Sequence, residues 1–177
     1  MSSLIPSGSA SGTGSMTLAA PVTNSNQTVT LPDATGTVMV SGNMPAFSAY
    51  LSSAQTLSGS TWTKITCQTK EFDTASCYDN TTNYRFTPTV AGYYMVTGRT
   101  QIASTATDGS ISIYKNGSAF KTGLNVNTTT VAPIVSALIY CNGSTDYLEL
   151  YARFVVGQNN SAGADITYFQ AVMVRSA

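Results

Sequence analysis

From Pro45 to Ala177 the chain is written in short runs in which apolar and polar side chains alternate, and no stretch carries the spacing of an amphipathic helix. A period of two places successive side chains on opposite faces of a strand, so the pattern confines this region to β structure. Gly92–Ser104 sets Tyr94, Val96, Gly98, Thr100 and Ile102 against Tyr93, Met95, Thr97, Arg99 and Gln101. Tyr147–Val155 sets Leu148, Leu150, Ala152 and Phe154, expected inward, against Tyr147, Glu149, Tyr151 and Arg153, expected outward. Thr61–Phe72 alternates in the same way, with Ile65 and Cys67 on one face and Trp62, Lys64 and Thr66 on the other. Ser110–Lys115 leads into Asn116-Gly117 and Val131–Cys141 into Asn142-Gly143. Asn-Gly between alternating runs is a strong hairpin signal, because both residues tolerate positive φ. Short strands of this number and spacing predict an antiparallel two-sheet sandwich of the jelly-roll kind.

The last run, Asp165–Arg175, breaks the alternation in an informative way. Ile166, Tyr168, Val172 and Val174 are apolar on one face, and Phe169, Ala171 and Met173 on the other. A strand apolar on both faces is covered on both faces. Within a sandwich of two sheets the second cover has to come from another subunit, so a homo-oligomer is expected.

The first 43 residues have a different character. Ser7–Ser15 is a Ser/Gly/Thr run, and Met16–Ala19, Gln27–Leu31 and Gly36–Val40 are short β-like pieces separated by turn signals. Each piece has too few apolar side chains to fold alone. We expect residues 1–43 to be an extended attachment or oligomerisation segment and residues 44–177 to be the head.

Composition removes most chemistry. There is no histidine, so Ser-His-Asp and Cys-His catalysis and imidazole metal ligation are unavailable. Eight basic and eight acidic residues cancel, which leaves no footprint for nucleic acid. Cys67, Cys77 and Cys141 are an odd number without Cys-x-x-Cys spacing and are expected as buried free thiols. No apolar run is long enough for a membrane helix, and no secretory leader is visible at Met1–Pro6. No cofactor is expected.

Two resemblances sharpen this reading. Phe72, Asp79, Tyr84, Phe86, Gly92 and Tyr94, with the hairpin Ile111-Ser-Ile-Tyr-Lys-Asn-Gly117 and the opening Pro45-Ala-Phe-Ser-Ala-Tyr50, resemble the globular head of the complement component 1 q-subunit family. That family shares its jelly roll with tumour necrosis factor. The resemblance spans essentially all of 45–177 and implies about ten strands and a compact homotrimer. Separately, Leu31-Pro-Asp-Ala-Thr-Gly-Thr37 is similar to a segment found in bacteriophage tail-fibre and related virion proteins. Together they imply a non-enzymatic virion protein of fibre, tail-tip or head-decoration type, assembled in the host cytoplasm. Its N-terminal segment would contact other virion proteins, and its trimeric head would face host-surface glycan or protein. The alternative is a free lectin-like binding module.

Candidate residues follow from both lines. Phe47, Phe72, Tyr84, Phe86, Tyr94 and Phe169 are expected as core aromatics. Phe47, Tyr84, Phe86, Gly92, Tyr94, Ile166, Tyr168, Phe169 and Val172 are expected in the core or the trimer interface. Gly92 is read as a position where a side chain would clash or a tight turn requires glycine. Trp62, Tyr147, Tyr151, Asn127 and Asn159 are candidate surface contacts. Glu71 and Asp73 alternate onto one face, as a calcium site or acidic catalytic pair would need, although a solvated edge is the simpler explanation.

Overall fold

Thirteen strands and no α-helix form among the described residues of the computed structural model. The structure describes residues 11–14, 17, 24, 26, 28, 39–40, 42, 44–102, 108–123 and 132–177. The chain divides into two units, Met1–Gly36 and Thr37–Ala177, and the architecture below belongs to the second. The β-like pieces expected before Pro45, the loop tips at 103–107 and 124–131, and Asn127 lie wholly or largely outside the described residues.

Two antiparallel sheets form a sandwich. The first orders β10 (Ile134–Asn142), β7 (Ala91–Arg99), β13 (Tyr168–Ser176), β1 (Ala46–Tyr50) and β4 (Thr69–Asp73). The second orders β5 (Tyr78–Asp79), β6 (Arg85–Phe86), β11 (Leu148–Phe154), β8 (Gly109–Lys115) and β9 (Ser118–Thr122), with β3 (Thr63–Lys64) also paired to β11. A small ladder joins β2 (Thr56–Leu57) to β12 (Gln158–Asn159). The closing strand β13 lies between β1 and β7 at the centre of the first sheet. That is where a strand apolar on both faces belongs.

The alternation read from the sequence becomes the core. Tyr94 and Val96 of β7, Ile111 and Ile113 of β8, Leu148, Leu150, Ala152 and Phe154 of β11, and Phe169, Ala171 and Met173 of β13 all point between the sheets. Phe47 is the hub. Its ring stacks on Tyr78 at 4.5 Å and Phe86 at 4.7 Å, and meets Phe169 edge-on at 5.2 Å. The buried hydroxyls are satisfied: Tyr78 donates to Cys67 O at 3.2 Å and Tyr94 to Val90 O at 2.7 Å. The three cysteines are buried and free, and burial pushes the Cys67 thiol up to about 12 and Cys141 to about 11. Thiols held so far from ionisation are unreactive.

Several expectations are corrected. Phe72 is not in the core but 51% exposed. A bulge between Ser48 and Ala49 shifts the β1–β4 register and sets Phe72 opposite Ser48, on the outward face. The same shift separates Glu71 from Asp73. Glu71 accepts from Ser48 Oγ at 2.6 Å, whereas Asp73 accepts the N–H groups of Cys77 and Tyr78. Tyr84 is only half-buried and has a φ of 50°, and Tyr78 takes the core place expected of it. Gly92 lies inside β7 with no positive φ, so the tight-turn reading fails and the clash reading holds. Ile166 precedes β13 and is half-buried.

The two Asn-Gly pairs diverge. Asn116 (φ 53°) and Gly117 (φ 80°) make the two-residue hairpin between β8 and β9. Asn142-Gly143 instead crosses from the first sheet to the second. The Asn142 carboxamide oxygen accepts the N–H groups of Ser144, Thr145 and Asp146, which coils the loop rather than closing a hairpin. Asp146 ties the two turns together. Its carboxylate accepts from Asn116 Nδ2 at 2.7 Å, Asn142 N at 3.0 Å and Lys115 Nζ at 2.9 Å.

These carboxylates predict the acid response. Burial opposes ionisation of Asp146, but the bonds from Asn116, Lys115 and Asn142 outweigh it and hold the group below its ordinary value. Asp79 is held lower still by the N–H groups of Thr82, Thr81 and Asn83. For a depressed carboxyl the stabilisation is complete above the unfolded pKa, near 3.8, and is lost as pH falls through the folded value. The melting temperature should therefore hold from neutrality to about pH 5 and fall below about pH 4, as thermal melts across this range would show.

Candidate functional site

The two outer faces of the sandwich are chemically unlike. On the first sheet, Leu138, Met95 and Val172 form one cross-strand row, and Tyr140 and Tyr93 the next, with ring centroids 5.5 Å apart. Val174 and Phe72 extend this patch, and its members run from 39% exposed at Tyr93 to 53% at Leu138. A polar row follows, where Thr97 Oγ1 and Ser136 Oγ lie 3.0 Å apart beside Gln170 and Ser48. A notch of about 240 Å³ opens between Phe72, Met95 and Val172, and its floor reaches Phe47 and Ala171. At the far end Ile134 lies opposite Arg99, whose guanidinium donates to the carbonyls of Asp165 and Ile166. Seven contiguous large apolar side chains are more than an isolated soluble domain ordinarily presents to water.

The second sheet carries an aromatic and ionic cluster. Tyr114 of β8 stacks on Tyr151 of β11 at 3.9 Å and 21°, and Trp62 lies 6.2 Å from Tyr114. Beside them Glu149 points outward as expected, yet its side chain is only 2% exposed. Lys64 Nζ at 2.7 Å and Arg85 Nη2 at 3.0 Å both close on its Oε1, and Arg85 also lies 4.0 Å from the Tyr147 ring centroid. A carboxylate so covered is stable only because both cations reach it. Burial, then the Glu149 charge, raises the Tyr151 hydroxyl above its ordinary value.

The structure thus sorts the expected residues. Phe47, Phe86, Tyr94 and Phe169 are core, and Val172 is on the outer apolar face. Tyr168 lies on that face opposite Arg99 and is half-buried. Trp62 and Tyr151 converge through Tyr114, and Tyr147 joins them through Arg85 and Glu149. Asn159 does not join. It sits in the β2–β12 ladder and accepts from Thr56 Oγ1 at 2.8 Å. Sequence reasoning missed Leu138 and Tyr140, although Ile134, Leu138 and Tyr140 alternate with buried Val135, Ile139 and Cys141 as a second run apolar on both faces. It also missed Tyr114, Lys64 and Arg85, which only the pairing of distant strands brings together.

No protein-family model and no curated protein matches the sequence. Solved structures do match the fold. Murine APRIL at pH 5.0 superposes with a TM-score of 0.59 at 6% identity, over 74% of this chain and 99% of that one. The globular domain of zebrafish complement 1qA superposes with 0.56 at 12% identity, over 75% and 98%. Eiger TNF from S. frugiperda superposes with 0.54 at 11% identity, over 76% and 93%. At such identities the likeness is one of architecture, and the head has the jelly roll shared by the tumour necrosis factor and complement 1q domains.

Proposed function

We propose that the chain is a non-enzymatic structural and binding protein of a bacteriophage particle, with a homotrimeric head formed by residues 44–177 and attached through residues 1–43. The observation that carries the trimer is the apolar outer face of the first sheet, centred on Leu138, Met95 and Val172. A second and third copy would cover it and complete the burial that β13 requires on both faces. The particle assignment rests on Leu31-Pro-Asp-Ala-Thr-Gly-Thr37, and buried free thiols suit assembly in a reducing cytoplasm. Three copies of each surface group would give avidity for repeated host-surface saccharide or protein without strong single-site contacts. Sedimentation of the full chain at micromolar concentration should give three times the 18.5 kDa chain mass. Antibody against the head should decorate purified particles in electron micrographs. A monomer in the first experiment removes the trimer, and undecorated particles remove the virion role.

A further inference from the structure

If the head contacts host-surface saccharide, as the preceding reading holds, the second sheet's aromatic face has the chemistry to do it and narrows the ligand. We propose that the strip of Trp62, Tyr114 and Tyr151, with Arg153 beside it, binds a saccharide bearing a carboxylate. The three rings come from three neighbouring stretches of chain and are half-buried, which makes a ledge rather than a core. The C–H face of a sugar ring packs on such a ledge, and a few placed polar groups fix its orientation.

Charge decides which sugar. The charged groups on this side are Lys64, Arg85, Arg153, Glu149 and Asp79. Lys64 and Arg85 are engaged by Glu149, and Asp79 by the N–H groups of Thr81, Thr82 and Asn83. Arg153 donates from Nε to Ser60 O at 3.2 Å and has no carboxylate partner among the described residues. Ala152 pairs with Thr63, and the bond from Arg153 to Ser60 O holds the guanidinium against the segment that leads through Trp62 into β3. A guanidinium without a carboxylate partner, its terminal nitrogens left to a ligand, complements an anionic sugar beside an aromatic ledge. On the first sheet's outer face Arg99 is engaged by two carbonyls and Gln101, and Arg175, exposed opposite Tyr93, borders the apolar patch that other copies would cover rather than an aromatic ledge left open.

Trp62 is the only tryptophan in the chain, so its emission reports on this site alone. Titration of the full-length protein with tetragalacturonate should shift and saturate that emission, and maltotetraose at equal ionic strength should not. Arg153→Gln should weaken tetragalacturonate binding roughly 2–5-fold, the worth of one exposed charge contact. Trp62→Ala, followed by calorimetry, should lose most of the remaining binding, whereas Trp62→Phe should keep it. Absence of any response by about 10 mM tetragalacturonate overturns the proposal, as does equal binding of maltotetraose or an unchanged affinity in Arg153→Gln. Those results would leave the rings as a lid over Glu149. Sedimentation of the same samples separates the two ideas: a trimer that binds no sugar sinks only the saccharide site, and a monomer sinks the assembly beneath it.

Discussion

Glutamate at both Met95 and Leu138 should leave a folded monomer. The two positions face each other across the β7–β10 ladder, and both side chains are more than two-fifths exposed in the single chain. Carboxylates placed there stay hydrated in an isolated subunit and cost its fold little. In a trimer closed over this face, six charges would be buried against apolar neighbours, at several kcal/mol for each desolvated ion. The dissociation constant should rise by at least about a thousandfold, equivalent to roughly 4 kcal/mol. Sedimentation should then show the mass of one chain, while far-ultraviolet circular dichroism keeps its β signature. Thr122→Glu on the edge strand of the other sheet, an exposed position on β9, serves as the control and should remain assembled. A double variant that still sediments as a trimer would place the interface elsewhere.

The same face shows how far the sequence could be read. The alternation in β7, β11 and β13 was legible because each is a long strand whose inner side chains all meet one core. From β13 alone, the doubly apolar pattern pointed to a covered outer face. What could not be read was register. A bulge in the β1–β4 pairing turns Phe72 outward, and no local pattern announces a one-residue shift. The second sheet's cluster was illegible for another reason. Lys64, Arg85, Tyr114 and Glu149 come from four strands, so their convergence exists only once β3, β6 and β8 have found β11. Asn142-Gly143 looked like Asn116-Gly117 by composition. Only tertiary placement, with β10 and β11 in different sheets, made one a crossover and the other a hairpin.

Valine at Gly92 should be the most damaging single change in the head among those considered. Gly92 pairs with Cys141 on one side and Ser176 on the other, inside the first sheet. A Cβ there would lie 2.4 Å from Arg175 O and 2.5 Å from Met173 Cε. The methionine tip can swing away, but the carbonyl belongs to a backbone that the ladder holds in place. It comes so close because the β13–β7 register shifts between Met173 and Arg175, which brings β13's backbone over the glycine. Gly98, six residues further along β7, is a useful contrast. Its added Cβ would meet Leu150 Cδ1 at 2.3 Å, the end of a side chain that can repack. Gly98→Ala should therefore cost less than Gly92→Ala, and Gly92→Val should cost about 3 kcal/mol or more, as overpacking against fixed backbone does. For a head of this size that is a fall of about 10 °C in melting temperature. Wild-type melting of Gly92→Val would mean that the β13 bulge does not sit over the glycine. Because β7 and β13 also carry Met95 and Val172 outward, prying them apart disturbs the apolar face as well as the core. The variant should then dissociate at higher protein concentration than wild type even below its melting point, a coupling that Gly98→Ala should show only weakly.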